Sequence, residues 1–191
     1  MKKNHFFIIS LAFITLNFSC KRKEKIFVGK IIEGDFNGDG YNEIASVNLM
    51  KTNKDSTCEY SIIFSDLSIK KIDLINKYKK IQLINEGDLN EDNADDISIS
   101  LEENKITPIS NMQTMGFKNN KWEKIIEFFS IYAGRDTLNS KKLQNLVSKK
   151  GKSIVYYTYG ESFKFDENYK PLDTTRIKKV IKINKPKLSE L

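Results

Sequence analysis

Alternation of apolar and polar positions recurs along the chain and predicts short β-strands. In the run from Ile97 to Leu101 every second residue is apolar, which is the period-2 pattern of a strand with one buried face. Other short runs are rich in β-branched and aromatic residues and are separated by polar turns. Together these runs cover residues 25–32, 44–49, 58–64, 68–74, 78–84, 111–129, 153–159, 161–171 and 176–184. The pattern predicts a mainly β protein.

One hairpin tip can be predicted from its residues. Asn119-Asn120 lies between two β-type runs, and paired asparagines suit a tight turn between antiparallel strands. Trp122 follows directly and is expected to be a core or hairpin aromatic rather than a platform for a ligand.

The stretch from Asp136 to Lys150 predicts the one short helix. Asp136 or Thr137 is suited to the N-cap, and Gly151 is suited to end the helix. The expected apolar face is formed by Leu138, Leu143, Leu146 and Val147.

Two acidic loops, 53 positions apart, carry the candidate chemistry. The first reads EGDFNGDGYNEI from residue 33, and the second reads EGDLNEDNADDI from residue 86. Loop positions are counted from Asp35 and from Asp88. The oxygen-bearing side chains at positions 1, 3, 5 and 9 are Asp35, Asn37, Asp39 and Glu43 in the first loop and Asp88, Asn90, Asp92 and Asp96 in the second. The backbone carbonyls at position 7 belong to Tyr41 and Ala94. Calcium takes about six to eight oxygens at about 2.3–2.6 Å. We therefore predict a Ca²⁺ site in each loop, with solvated acidic turns as the alternative.

The remaining loop positions refine this prediction. At position 6, where the chain must turn into a conformation that favours positive φ, the loops have Gly40 and Asn93. An EF-hand would need a bidentate Glu at position 12, but the residues there are Ser46 and Ile99. The loops are therefore expected to connect strands rather than helices.

The two loop sequences resemble the calcium loop of FG-GAP/VCBS repeats, the blade unit of integrin-type β-propellers. The period of 53 is near the length of one four-stranded blade. The resemblance covers residues 25–110 and implies calcium-stabilised blades in a secreted bacterial protein. The Phe-Gly and Gly-Ala-Pro elements that give the family its name are absent here.

The first twenty residues have the pattern of an export signal. Lys2 and Lys3 precede a thirteen-residue, mostly apolar stretch from Phe6 to Phe18, which is too short to span a membrane. The signal ends in Leu16-Asn17-Phe18-Ser19-Cys20, a sequence that resembles the lipobox of bacterial lipoproteins. The resemblance implies cleavage after residue 19 and acylation of Cys20, so that lipid chains hold the protein on a membrane. An ordinary cleaved signal, which would leave a soluble periplasmic protein, is the alternative.

The predicted organisation is a signal peptide over residues 1–19, a lipidated Cys20 with a tether over residues 20–25, and a single β-rich domain over residues 26–191. Within the domain we expect repeats at about 26–79 and 80–132 and a C-terminal part over 133–191. About 170 mature residues can bury a proper core, but they are too few for a closed propeller. We expect partial propeller-like antiparallel blades with C-terminal hairpins; a sandwich or a small barrel is the alternative.

Composition limits the classes of function. The net charge is +7, but the basic residues are scattered along the chain and mixed with acidic ones. An exported lipoprotein also meets little nucleic acid, so no nucleic-acid partner is expected. The single histidine, His5, lies in the predicted signal, which leaves no histidine for a catalytic triad or a zinc site. Cys58 is then the one cysteine left once Cys20 is acylated, and it is expected as a small buried thiol without a disulfide.

We therefore expect a membrane-anchored, calcium-binding β-repeat lipoprotein of the bacterial cell envelope, on the outer rather than the inner membrane and facing the periplasm or the exterior. Its function would be binding, with a protein or glycan partner and structural rather than catalytic calcium. The alternatives are a small polysaccharide hydrolase with paired carboxylates and an immunity-type lipoprotein that protects against a toxin.

A C-terminal group of aromatic residues is expected to pack against the sheet or to face a partner: Tyr156, Tyr157, Tyr159, Phe163, Phe165 and Tyr169.

Overall fold

The computed structural model of the protein describes residues 28–54, 57–76, 80–102, 109–132, 143–144, 146–159, 167 and 176–183. The predicted signal, Cys20 and the tether lie outside these residues. The strands are β1 (Val28–Gly29), β2 (Ile31–Gly34), β3 (Glu43–Thr52), β4 (Cys58–Phe64), β5 (Ile72–Asn76), β6 (Lys80–Gly87), β7 (Asp96–Glu102), β8 (Ile109–Lys118), β9 (Lys121–Tyr132), β10 (Val147–Lys150), β11 (Ser153–Tyr159) and β12 (Arg176–Lys182).

The strands form three antiparallel sheets. The first sheet has the order β2-β3-β4-β5, the second β1-β6-β7-β8-β9, and the third β10-β11-β12. Strands make up 67% of the described residues, and the sheets do not close into a barrel. The prediction of a mainly β fold is confirmed, and the small-barrel alternative is wrong for the part of the chain that the structure describes.

The first sheet buries one face and exposes the other. On β3, Ala45 is fully buried, whereas Ile44 is about half exposed, because neighbouring residues of a strand point to opposite faces. Ile32 and Ile62 are also fully buried in this core. The outer face carries the partly exposed side chains of Ile31, Ile44 and Ile63, and Ser46 is paired between Ile31 and Ile63 in one row across the sheet. This sheet can therefore form an outer layer of the fold.

The second sheet lies between two cores. Leu83 of β6 packs with the first sheet, while its neighbour Ile84 packs on the opposite side with residues of the third sheet. On that opposite side the third sheet contributes Val147 and Ile154, which pack with Met112 of β8. The three sheets are therefore layers, with the second in the middle and buried on both faces.

The hairpin between β8 and β9 turns at Asn119-Asn120, as predicted. Both asparagines have positive φ, 50° and 60°, the conformation that a two-residue turn of this kind requires. Trp122 packs against Phe64 and Phe117, with ring centroids 5.2 Å and 5.1 Å away. Its indole N–H donates to the Lys70 carbonyl, so the prediction of a core aromatic is confirmed.

The predicted helix at Asp136–Lys150 is wrong over its last four residues, and residues 136–142 lie outside the described residues. Val147–Lys150 is strand β10, paired with β11 from Ser153 to Tyr156. Gly151, expected to end a helix, has φ 58° in the tight turn between these two strands. The apolar spacing is explained instead by one turn, in which the Leu146 N–H donates to the Leu143 carbonyl, followed directly by the strand.

The structure also bears on the predictions for the C-terminal aromatic group and for Cys58. The Tyr156 ring packs on Phe129, with centroids 4.9 Å apart, which favours packing against the sheet for this member of the aromatic group. Cys58 is a free thiol that is half-buried rather than buried. No helix among the described residues is long and apolar enough to cross a membrane.

Candidate metal centre

Both acidic loops connect the first two strands of a four-stranded antiparallel meander. We define loop 1 as residues 35–43, between β2 and β3, and loop 2 as residues 88–96, between β6 and β7. Gly34 pairs with Glu43, and Gly87 pairs with Asp96, so that the strand ladder closes each loop at its base. The prediction that the loops join strands is confirmed.

The carboxylate at position 1 organises loop 1. Asp35 Oδ1 accepts hydrogen bonds from the backbone N–H groups of Gly38 (2.8 Å) and Asp39 (3.1 Å), and its Oδ2 accepts from Gly40 N–H (2.9 Å). At position 3, Asn37 Oδ1 accepts from the same Asp39 N–H at 2.9 Å. The side chains at positions 1 and 3 therefore point into the loop, where the sequence places ligands.

Loop 2 repeats these contacts atom for atom. Asp88 Oδ1 accepts from Glu91 N–H (2.7 Å) and Asp92 N–H (3.2 Å), and its Oδ2 accepts from Asn93 N–H (3.2 Å). Asn90 Oδ1 accepts from Asp92 N–H at 3.0 Å. The two loops therefore share one local conformation, although six of the positions 1–9 carry different residues.

Position 6 has the predicted backbone conformation in both loops. Gly40 has φ 90° and Asn93 has φ 72°. Position 4, which the sequence reasoning missed, also has positive φ, 77° at Gly38 and 67° at Glu91. A glutamate in this region is strained by about 1–2 kcal/mol, so the loop contacts must hold it there.

Positions 2 and 9 anchor each loop to a core. The position-2 residues Phe36 and Leu89 are 0% and 2% exposed. Their N–H groups donate to the position-9 carboxylates, Glu43 Oε2 and Asp96 Oδ2, both at 2.8 Å. The predicted ligand at position 9 is thereby held at the inner end of each loop.

Position 7 also recurs in both loops. The N–H of Tyr41 donates to Asp39 Oδ1 (2.8 Å), and the N–H of Ala94 donates to Asp92 Oδ1 (3.1 Å). Ligation by the Tyr41 and Ala94 carbonyls stays a prediction.

Loop 1 gathers three carboxylates. Asp35, Asp39 and Glu43 each offer an oxygen within 4.8 Å of the other two, the only acidic triplet of this kind among the residues that the structure describes. Glu43 is only 3% exposed. Burial, reinforced by the negative charges of Asp39 and Asp35, raises the pKa of the Glu43 carboxyl, although the Phe36 N–H acts in the opposite direction. A cation would relieve this repulsion.

Asp66 adds a fourth carboxylate beside loop 1. It follows β4, and its Oδ2 accepts a hydrogen bond from Asn37 Nδ2 at 3.0 Å. The backbone N–H and hydroxyl of Ser68 lower the pKa of Asp66, so that it stays ionised at neutral pH. The sequence reasoning missed Asp66, because nothing in the residues around it indicates that β4 ends beside loop 1.

Asp96 is the most deeply buried of the candidate ligands. Its side chain is 0% exposed, and its Oδ1 has no hydrogen-bond partner. Burial raises the pKa of the Asp96 carboxyl to about 8, with further contributions from the negative charges of Asp92 and Asp88. A buried carboxylate oxygen without a partner is costly and calls for a ligand or a proton.

The neighbouring strand leaves room for this carboxylate because it has a glycine there. A Cβ added to Gly116 of β8 would lie 2.6 Å from Asp96 Oδ1 and 3.1 Å from Asn90 Nδ2. The backbone of β8 therefore closes loop 2 directly over two predicted ligands, which excludes any larger residue at position 116.

A lysine from the third sheet contacts loop 2. Lys149 Nζ donates to the Asp88 carbonyl at 3.3 Å and lies 3.5 Å from Glu91 Oε1. Loop 2 thus has a cation at its rim, whereas loop 1 has the carboxylate of Asp66. The sequence reasoning missed Lys149, which it assigned to the end of a helix.

A groove of about 250 Å³ runs between loop 2 and the third sheet, with Ile125, Ile154, Ile181 and Ile183 among its lining residues. Its carboxylates are already engaged by neighbours. Glu91 pairs with Lys149, Glu123 pairs with Lys121 at 3.0 Å, and Asp92 belongs to the loop.

The comparisons with known proteins give no relative. No family model, no curated protein and no solved structure matches the chain.

Proposed function

We propose that this protein is a calcium-binding β-repeat module of the bacterial cell envelope, in which one Ca²⁺ in each acidic loop fixes the connection between two strands. The observation that carries this proposal is Asp96, a fully buried carboxylate with one oxygen unpartnered, facing the charges of Asp88 and Asp92. A bound divalent cation would supply the missing partner and neutralise the repulsion in one step.

The donor set favours calcium over transition metals. Carboxylate, amide and carbonyl oxygens are hard ligands, and no described histidine or cysteine lies among them. Asp35 and Asp88 already orient their loops through backbone N–H groups. The role of the ion would be structural, because it binds the folded loop and not the unfolded chain.

The architecture supports the proposed relation to FG-GAP/VCBS repeats. Each acidic loop joins the first and second strands of a four-stranded antiparallel meander, and the two meanders pack face to face around one core. Equivalent hydrogen bonds 53 residues apart support a true repeat. We propose two propeller-like blades in consecutive layers, with the third sheet covering the second blade.

The proposed location in the cell envelope is consistent with calcium binding. Calcium sites of extracellular modules have dissociation constants of about 10⁻⁴ to 10⁻³ M, so they fill outside the cytoplasm. We propose a lipid anchor at Cys20 in the envelope and a protein or glycan as partner. The engaged carboxylates of the groove beside loop 2 favour binding over hydrolysis.

Calcium-dependent stability tests the proposal. The full chain in detergent is melted in EDTA and again at a calcium concentration ten times Kd. Binding to the folded state alone adds about 1.4 kcal/mol per site and about 2.8 kcal/mol for two sites, which corresponds to a rise in Tm of about 6–11 °C for a chain of this size. The double variant Asp39→Ala/Asp92→Ala, which removes position 5 from both loops, should melt at the same temperature in both buffers.

The stoichiometry gives a second test. Two Ca²⁺ ions should bind per chain of wild type, one per chain of either single variant, Asp39→Ala or Asp92→Ala, and none to the double variant. An unchanged Tm on chelation together with no calorimetric signal at millimolar calcium would remove calcium from the proposal and leave two hydrogen-bonded acidic turns.

A further inference from the structure

Loop 2 is bonded directly to the first predicted ligand of loop 1. The Asp95 N–H donates to the Asp35 carbonyl at 2.6 Å, and the Asp35 N–H donates back to Asp95 Oδ2 at 3.1 Å. These two residues are 60 positions apart in the chain and lie in loops of different sheets. Both polar groups of the Asp35 backbone are therefore held by one residue of the other loop.

Asn85 of β6 holds this contact in place through hydrogen bonds to both sides of it. Its Nδ2 donates to Asp95 Oδ2 at 2.8 Å and to the Glu33 carbonyl at 2.9 Å, and the residue is only 6% exposed. A Cβ on Gly34 would lie 2.3 Å from Asn85 Nδ2 and 2.6 Å from Asp95 Oδ2, so only glycine permits this approach. The Asp95 Oδ2 atom thus accepts two hydrogen bonds, one from the Asp35 N–H across the interface and one from Asn85 of its own sheet.

The contact between Asp35 and Asp95 connects the predicted ligand positions of the two loops. Asp35 is position 1 of loop 1, and its carboxylate organises that loop. Asp95 lies between position 7 and position 9 of loop 2, the predicted ligands Ala94 and Asp96. An ion that fixes Ala94 and Asp96 also fixes Asp95, and through it the backbone of Asp35.

We propose that the two calcium sites are energetically coupled through Asp95, so that an ion in either loop raises the affinity of the other. The coupling rests on the proposed function. The first ion would order the shared contact, so the second binds a loop that has already lost its conformational freedom. Coupling of this kind is reciprocal by thermodynamic necessity, and typical values change affinity by about 5- to 150-fold.

The repeat itself supplies a matched control. The residue of loop 1 that corresponds to Asp95 is Asn42, whose Nδ2 donates to Glu33 Oε1 at 3.2 Å within the same repeat. Asn42→Ala therefore alters position 8 of a loop without touching the contact between the loops. Asp95→Ala alters position 8 of the other loop and removes that contact.

Loop 1 can be followed separately because it contains an aromatic side chain. Tyr41 is 77% exposed at position 7, where loop 2 has Ala94. Tb³⁺ replaces Ca²⁺ at oxygen sites and luminesces when a nearby tyrosine is excited, and Tyr41→Phe gives the background from other aromatics. Displacement of Tb³⁺ by added Ca²⁺ then reports the affinity of loop 1.

The experiment measures the Ca²⁺ affinity of loop 1 in the full chain in detergent with loop 2 intact or inactivated by Asp92→Ala. In the wild-type and Asn42→Ala backgrounds we expect Asp92→Ala to lower that affinity at least about fivefold. In the Asp95→Ala background the same substitution should leave the affinity unchanged. Circular dichroism checks folding, and Asn85→Ala serves as the second variant if Asp95→Ala does not fold.

The wild-type titration decides the question without any variant. Positive cooperativity between two ions is the expected result. Two independent sites would overturn the coupling while leaving the proposed function intact, and coupling that persists in both Asp95→Ala and Asn85→Ala would overturn the assignment to this contact. A wild-type chain that binds no calcium would overturn the proposed function itself.

Discussion

Loop 1 and loop 2 have nearly the same backbone and very different surroundings. Loop 1 lies at the edge of the outermost sheet, with Asp39 and Tyr41 exposed to solvent. Loop 2 lies beside the central sheet, closed by β8 on one side and contacted by Lys149 of the third sheet. One local structure is therefore present in two electrostatic environments, which separates what the loop sequence does from what its neighbours do.

The position-9 carboxylates show the difference most clearly. Both accept a 2.8 Å hydrogen bond from a position-2 N–H. Burial raises the pKa of Glu43, but it raises the pKa of Asp96 as far as about 8. The deeper burial at loop 2, reinforced by the charges of its own Asp92 and Asp88, makes the position-9 carboxylate costly to ionise there.

The largest expected effect concerns the apolar anchors, which the two loops share. Phe36→Ala and Leu89→Ala each delete a buried side chain and leave a cavity, so we expect losses of about 3–5 and about 2–5 kcal/mol in the free energy of unfolding. Urea unfolding in EDTA measures both without interference from calcium. A loss below about 1 kcal/mol at only one of the two positions would show that the loops are not anchored equivalently.

The pH dependence of stability should separate the loops next. Because the folded-state pKa of Asp96 lies above its unfolded value, the protonated carboxyl favours the fold, and this stability is present at low pH and lost as the pH rises through about 8. In EDTA we therefore expect the free energy of unfolding to fall between pH 5 and pH 8, on the order of a few kcal/mol. Glu86, with a buried carboxyl whose pKa is also raised to about 8, acts in the same direction.

Two substitutions show which carboxyl group causes the pH dependence of the free energy of unfolding. Asp96→Asn should flatten the profile in EDTA more than Glu43→Gln does, because the Asp96 pKa is raised further. An identical profile for wild type and Asp96→Asn would contradict the buried, unpartnered state of this carboxyl.

The smallest expected effect concerns Lys149. Its ammonium group lies beside the Asp88 carbonyl and Glu91, and a positive charge there opposes the binding of a cation in loop 2. Lys149→Met should therefore raise the calcium affinity of loop 2 by about 1.4- to 5-fold, as expected for an interaction of about 0.2–1 kcal/mol at the surface. Affinity is measured by calorimetry in the Asp39→Ala background, where only loop 2 binds.

Lys150→Met is the matched control for this prediction. Lys150 is the next residue of the same strand and is exposed, and its removal changes the net charge equally. An equal gain in affinity from both variants would assign the effect to net charge rather than to the contact with loop 2.

The sequence determined the loops because their structure is local. Asp35 contacts N–H groups three to five residues ahead, and side chains two residues apart meet in a tight turn, so spacing alone places positions 1, 3 and 5. The turn at position 6 follows from the same geometry, and Gly40 and Asn93 are the residue types that accept it. The alternation in β7 likewise follows from the two faces of a strand.

Only the tertiary structure decided which residues reach the loops from elsewhere and which elements the ambiguous segments form. Asp66, Asp95 and Lys149 act on loops that are distant in the chain, and no local pattern encodes such contacts. The helix predicted near Val147 failed for the same reason: a short apolar run fits either period, and pairing with β11 made it a strand. The burial of Asp96 depends on β8 of the central sheet closing over loop 2, which is a tertiary contact and not a property of the loop's own sequence.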